Sequence, residues 1–186
     1  MSSASLLVPA PMTAEEFGRR PDPGYPEELV RGKVVALTVR NRRYGQICSH
    51  VICLFGRFLD DHDLGHVLSY SGIITQRGPD TVRGADVAFY SYAKLPKGPL
   101  APGYGPEMPD LVVEVVSPSD RWPKVLAKVA EYLEAGVTVV VVLDELPPTA
   151  RLFSADRTTR ELDPEDVLEI PDLLPGFSVA VRRFFE

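Results

Sequence analysis

The feature that most constrains this chain is an apolar strand, a helix and a second apolar strand in succession, with one carboxylate set inside the first strand. Asp110 to Ser117 contains Leu-Val-Val-Glu-Val-Val, and Pro118 to Trp122 turns the chain away from it. Pro123 suits the first position of a helix and Gly136 the position just past its end. Between them Val125, Leu126, Val129, Tyr132 and Leu133 recur at spacings that make one inward face. Val137 to Leu143 is apolar except for Thr138, and it is far shorter than the roughly 18 residues of a membrane-spanning helix. It therefore reads as a buried strand over Val137 to Asp144. A strand, helix and strand in this order cross over right-handed, which makes the two strands parallel and the fold class α/β.

The rest of the chain supplies further strands and one more long helix. Thr13 and Glu16 have capping-box spacing for a short helix that Pro21 and Pro23 end. Glu28 to Val39 reads as two strands turned at Arg31-Gly32, and Ile47, Val51, Leu54, Phe55, Phe58 and Leu59 mark an amphipathic helix from Tyr44 to about Asp63. His66 to Thr75 and Ala85 to Tyr90 read as strands, Pro96 to Pro109 as a surface loop, and Ala150 to Glu186 as short strand-like pieces. With 14 glycines and 18 prolines in 186 residues, a helical bundle is excluded. A chain of this length buries roughly 70% of its unfolded surface, so no disulfide or metal is needed to hold the core. We expect residues 1–12 to form a flexible arm and residues 13–186 a single domain. Cys48 and Cys53 are too few and too close for a disulfide framework, and they predict core thiols in a reducing, cytoplasmic compartment. Neither a secretory leader nor a membrane partner is expected.

Chemistry concentrates on a few charged residues among apolar neighbours. Glu114 stands between valines, and burying a lone carboxylate costs several kcal/mol at least, so it must meet a cation, a metal or a hydrogen-bond network. Asp86, in Ala-Asp-Val-Ala-Phe, poses the same problem on another short strand. Two acids on neighbouring strands form a hard oxygen site of the kind Mg²⁺ or Mn²⁺ prefers. Lys124 and Lys128 share one helical face at a spacing of four, in the helix that packs back on the Glu114 strand. An acid pair with a lysine suits metal-dependent phosphodiester cleavage, in which the lysine orients water or stabilises developing charge. A purely structural ion pair uses the same residues.

The order of Glu28-Leu29-Val30-Arg31-Gly32-Lys33-Val34, Ala85-Asp86-Val87-Ala88-Phe89, Pro109 to Ser119 and Lys128 to Val137 resembles the Uma-type restriction endonucleases, a branch of the PD-(D/E)XK nuclease superfamily. The resemblance implies a restriction-endonuclease-like core, a central mixed sheet flanked by helices. It also implies a Mg²⁺- or Mn²⁺-dependent endonuclease acting on DNA. On this pattern Asp86 and Glu114 are the motif's acids, the Val115 carbonyl and Glu28 are further metal ligands, Lys128 is the catalytic lysine and Tyr132 lies one turn beyond it. Val116 stands where the superfamily's usual lysine would be, Ala85 replaces a common proline, and Tyr44 replaces a common histidine. Single-site nucleases pair to cut both strands, so a homodimer is expected from function.

Other readings fare differently. A zinc site built on Cys48, His50, Cys53, His62 and His66 fails geometrically, because Cys48 and His50 point about 200° apart on a helix and Cys48 and Cys53 about 140°. No nucleophile elbow surrounds Ser117 and no glycine-rich phosphate loop is present. Arg31, Lys33, Arg40, Arg42 and Arg43 have no acid among them and form a candidate phosphate-facing rim, or else a solvated hairpin and helix entry. A net charge of −6 argues against a sequence-blind coat protein for nucleic acid and predicts weak, strongly salt-dependent DNA binding without metal. A catalytically silent binding module on the same fold, and a metal-dependent hydrolase of another phosphate ester, remain alternatives.

Overall fold

A computed structural model of the chain describes residues 10–118 and 120–186. A short helix α1 (Ala14–Gly18) opens it, capped reciprocally by Thr13 and Glu16 as their spacing predicts. The hairpin of β1 (Glu27–Val30) and β2 (Lys33–Ala36) follows, then α2 (Arg42–Asp61), β3 (Gly65–Gln76) and β4 (Thr81–Ser91). Next come β5 (Leu111–Val116), α3 (Trp122–Ala135), β6 (Val139–Glu145), β7 (Pro148–Ser154) and β8 (Thr159–Leu162). The chain ends with β9 (Val167–Glu169), β10 (Ser178–Ala180) and a 3-10 turn at Val181–Phe184. Gly136 closes α3 in a left-handed conformation, φ +107°, that a side chain would strain.

Eight strands form one mixed sheet in the order β2-β1-β4-β5-β6-β7-β8, with β3 paired to β4. β5 and β6 run parallel from Leu111↔Val139 to Val116↔Asp144, as the strand-helix-strand pattern requires. The odd-numbered side chains of β5 and β6 face α2 and the C-terminal segment, in a cluster with Val113, Val141, Phe55 and Phe184. The even-numbered ones face α3, with Val112, Val140, Val129 and Tyr132. Glu114 is even-numbered, so the pleat alone turns it towards α3.

The pairing of β4 creates an opening in the sheet. β3 pairs with β4 along nearly all its length, so β1 and β5 must share the opposite edge. There β1 pairs only at Leu29↔Val82, and β5 only from Val87↔Val113 to Phe89↔Leu111. Residues 83 to 86 of that edge face a gap between β1 and β5. Glu28 and Glu114 are the first residues of their strands beyond the last pairing with β4. The pleat of β4 also slips here, because Ala85 and Ala88 both pack on the α3 side while Val87 and Phe89 pack on the α2 side.

Several expectations are corrected. Leu126 does not join the inward face of α3: it is 44% exposed, since a fourteen-residue helix over one sheet buries only a narrow stripe. Cys53 is exposed and so not a core thiol, whereas Cys48 is half-buried and packs against the core cluster under α2. Of the expected arm, residues 1–9 lie outside the described residues, and Met12 donates its amide to the Gly32 carbonyl at 3.0 Å. The Ala85 to Tyr90 strand starts earlier, at Thr81, because β3 pairs with that segment too.

Candidate active site

Glu28, Asp86 and Glu114 reach the gap from three strands, and Lys128 reaches it from α3. Glu114 is 8% exposed, accepts the Tyr132 hydroxyl at 2.8 Å and lies 3.5 Å from the Lys128 ammonium. Lys128 lies closer, at 3.0 Å, to Glu28. Burial alone would lower the pKa of this lysine, but the Glu114 and Glu28 carboxylates outweigh it and hold the group above the usual lysine value. It is therefore an ammonium at any physiological pH. Tyr132, wholly buried, is pushed far up by burial and by the Glu114 charge, and stays a hydrogen-bond donor.

Asp86 fills the place that a backbone pair would occupy. One carboxyl oxygen accepts the Val115 amide at 2.7 Å and the other accepts the Tyr44 hydroxyl from α2. Burial, then the neighbouring Glu114 charge, push its pKa up to about 7, against the opposing pull of those two donors and Lys128. At Asp86, burial and the Glu114 charge thus outweigh the donors that would favour its carboxylate. Cys48 is also pushed up, to about 12, by burial and then by Asp86, and is an inert thiol.

A further layer fixes Glu28. Arg83 donates to it at 2.9 Å and makes two bonds to Glu131 on α3, at 3.0 and 2.7 Å. The Gly84 amide donates to the other Glu28 oxygen at 3.3 Å. Thr75 donates in turn to Glu131. An arginine, a lysine and an amide meet the two oxygens of Glu28, so in this arrangement the carboxylate holds Lys128. Among the described residues no three His, Cys, Asp or Glu side chains gather as a metal site, the cysteine and histidine set included.

The gap opens into a cleft of about 350 Å³ lined by Glu28, Glu114, Val115, Lys124, Lys128 and Arg40 among others. Lys124 is on the cleft face of α3 but makes no ion pair among the described residues. The basic segment divides. Arg40 is held by Asp120 at 2.8 Å and stacks 5.1 Å from the Tyr44 ring centre, and Arg43 meets Glu145 at 3.5 Å. Arg31, Lys33 and Arg42 make no ion pair among the described residues. The acids that neutralise Arg40 and Arg43, Asp120 and Glu145, lie far along the chain from them, where no local charge count reaches.

Sequence reasoning missed Arg83, Glu131, Asp120 and the donor role of Tyr44. Arg83 stands three residues before Asp86, where a charge in a buried strand was a usable signal. Nothing local pairs Glu131 with it.

Asp86 and Glu114 fit a small divalent cation. They are hard oxygen donors, the Asp86 carboxylate is under-compensated, and Mg²⁺ needs only one or two carboxylates besides waters and a substrate phosphate.

A family model described as "Uma2: Putative restriction endonuclease" matches residues 14–182. The chain is also similar to a crystal structure described as a putative nuclease belonging to DUF820 from Anabaena variabilis, with a TM-score of 0.81 and 17% identity. That match covers 94% of this chain and 98% of the other. It establishes a shared fold, the restriction-endonuclease-like mixed sheet flanked by helices. No curated protein matches. Among the described residues no helix is long and apolar enough to cross a membrane.

Proposed function

Because the chain belongs to the Uma2 family of restriction-endonuclease-like proteins, we propose that it is a divalent-metal-dependent endonuclease that hydrolyses DNA phosphodiester bonds. The observation that carries this reading is the meeting of Asp86, Glu114 and Lys128 at a break in the sheet, with Glu114 and Lys128 lining a cleft and Asp86 buried behind them. A purely structural ion pair has no need of an unpaired strand edge or an under-compensated aspartate.

In this reading Asp86, Glu114 and the Val115 carbonyl hold Mg²⁺ or Mn²⁺. When bound, the ion polarises the phosphate and lowers the pKa of a water. The protein's own groups do the rest. Lys128, charged and suspended between Glu114 and Glu28, orients the attacking water and stabilises negative charge that develops on the phosphate. Tyr132 locks the Glu114 carboxylate in one orientation through its hydroxyl. Glu28 positions Lys128, and Arg83 holds Glu28 in place. Lys124 and Arg40 line the cleft where a phosphate backbone would pass. DNA binding is weak without metal, since the chain carries a net charge of −6.

The test is a nicking and linear-DNA assay in Mg²⁺ or Mn²⁺, with Glu114→Ala and Lys128→Ala beside the wild type. Metal-dependent cleavage that both substitutions abolish supports the mechanism. Cleavage unchanged in both variants overturns it, and a wild type that neither binds metal nor cuts is the binding module instead. Sedimentation with and without DNA reports whether a homodimer forms.

A further inference from the structure

We infer that the DNA strand acted on is locally unpaired, and that an aromatic hollow beside the acid gap receives one of its bases. The inference rests on the nuclease reading above and adds the class of substrate to it.

Tyr70 is the starting point. Its backbone is left-handed, φ +46°, and its ring remains 48% exposed. For a bulky residue that conformation is an outlier, and such strain collects at functional sites. The β3–β4 register places Tyr70 across from Asp86, between the pairs Ser69↔Val87 and Ser71↔Ala85. The ring crosses β4 over Gly84, where a Cβ would lie 3.1 Å from its Cε2 and 3.3 Å from its Cζ. Any side chain at residue 84 would push it away. Burial, and then the Glu28 charge, raise the pKa of the Tyr70 hydroxyl.

A second ring lies beside it. Tyr104, from the proline- and glycine-rich loop, occupies the space where a Cβ of Gly72 would be, and Gly72 is the cross-strand partner of Gly84. Tyr104 also stacks on Phe17, with ring centres 5.9 Å apart. Tyr25, 50% exposed, faces these rings and, with Arg20, completes a hollow of about 210 Å³. Arg20 is paired with Glu27, so its charge is already met. Glu27 borders the hollow and Glu28 the catalytic cleft, so one strand, β1, is the wall between them.

Three tyrosines, a phenylalanine and three prolines line this small void, its one cation is paired with Glu27 and Asp22 adds a further acid, so it suits a flat aromatic ring and not a phosphate. Stacking of this kind tolerates any base, because every base has a π face. A base inside a duplex cannot enter such a hollow without leaving its stack, and unpaired or mismatched bases pay least for that. Single strands, flaps and mismatched sites are therefore the substrates this surface favours over intact duplex. A left-handed residue needed only to redirect β3 opposite Asp86 could be glycine, and the test turns on that difference.

The full-length protein is titrated, without metal, into a single strand carrying one 2-aminopurine and into the same strand annealed to its complement. Wild type and Tyr70→Phe are expected to quench the probe in the single strand and to bind it at least about fivefold tighter than duplex. Tyr70→Leu and Tyr25→Leu are expected to bind about tenfold more weakly and to lose the quench. Tyr70→Gly, relieved of the strained φ, is expected to melt higher than wild type and yet bind as weakly as the leucine variant. Wild-type affinity and quench in Tyr70→Gly would overturn the inference, as would equal wild-type binding to duplex without quench. The two readings fail separately. Cleavage of intact duplex in Mg²⁺ that ignores Tyr70→Leu defeats the hollow and leaves the nuclease. Quench without cleavage of any DNA in Mg²⁺ or Mn²⁺ defeats the nuclease and leaves the hollow.

Discussion

Asp80 and Asp86, six residues apart on either side of the start of β4, are each 9% exposed, and the fold treats them in opposite ways. Asp80 accepts the Ala14 amide at 2.8 Å, the Gly78 amide at 3.1 Å and Arg77 at 2.8 Å, and these donors, Ala14 first, hold its pKa below the usual aspartate value. Its carboxyl is covered but shallow. Asp86 lies deep between strands, has two donors and faces the charge of Glu114, so its pKa rises. Equal exposure therefore does not decide ionisation. Depth and like charge, weighed against the number of donors, decide it. Asp80 is a clamp that ties α1 to the β3–β4 turn, whereas Asp86 is left with a charge deficit that a cation can fill.

The sharpest way to break this comparison is to neutralise each aspartate. Asp86→Asn is expected to lower Mg²⁺-dependent cleavage by at least about a hundredfold, measured on linear DNA, while Asp80→Asn leaves cleavage near wild type. The stabilities should move the other way. In metal-free buffer at pH 8, urea unfolding of Asp86→Asn should show a gain on the order of 1–3 kcal/mol, because a buried charge with raised pKa is removed. Asp80→Asn should unfold at lower urea, because it loses a carboxylate with three donors. Equal effects in both variants would erase the distinction.

Lys128→Met should reduce cleavage by about a hundredfold, read from single-turnover rates, with Lys128→Arg recovering part of the loss. The substitution should also lower stability in urea, since the buried Glu28 and Glu114 carboxylates are left without the ammonium between them.

A pH titration of metal-free stability separates the aspartates by sign. For Asp86 the native state holds the proton more tightly than the unfolded chain, so stability should fall as pH rises from the unfolded value of 3.8 to about 7. For Asp80 the native pKa is depressed, so its contribution is present above 3.8 and lost as pH falls through the native value. Asp86→Asn should abolish the first slope and leave the second. Unfolding midpoints in urea across pH 3 to 8 would show it.

The smallest expected effect is the most specific. Tyr44→Phe removes one of the two donors that lower the Asp86 pKa, so the pH of half-maximal Mg²⁺ binding should rise by about half a unit to one unit. Calorimetric titration of Mg²⁺ at several pH values measures it, and an unshifted midpoint would remove Tyr44 from the account of Asp86.

Much of this architecture was legible in local sequence. The Thr13 and Glu16 cap, the Pro123 to Gly136 helix and the apolar runs of β5 and β6 follow from spacing and chain stereochemistry, which act over a few residues. Asp86, Glu114 and Lys128 stood out because charge within or facing apolar strands is costly at any register. The long-range partners were not legible. Arg83 with Glu131, Arg40 with Asp120 and Tyr44 with Asp86 join residues 42 to 80 positions apart, and no local pattern encodes such a pairing.

The sequence by itself determined the strand-helix-strand unit and the expensive placement of two acids, because hydrophobic periodicity and desolvation are properties of the chain wherever it goes. Only the tertiary structure decided that β1 and β5 would share one edge of β4 and leave a gap between them. It also decided that Glu28 would meet Arg83 and Lys128. A strand edge can accept either partner. Which one it takes at each residue depends on the global packing of α1, α2 and α3 against the sheet, and that choice set the acids around an opening.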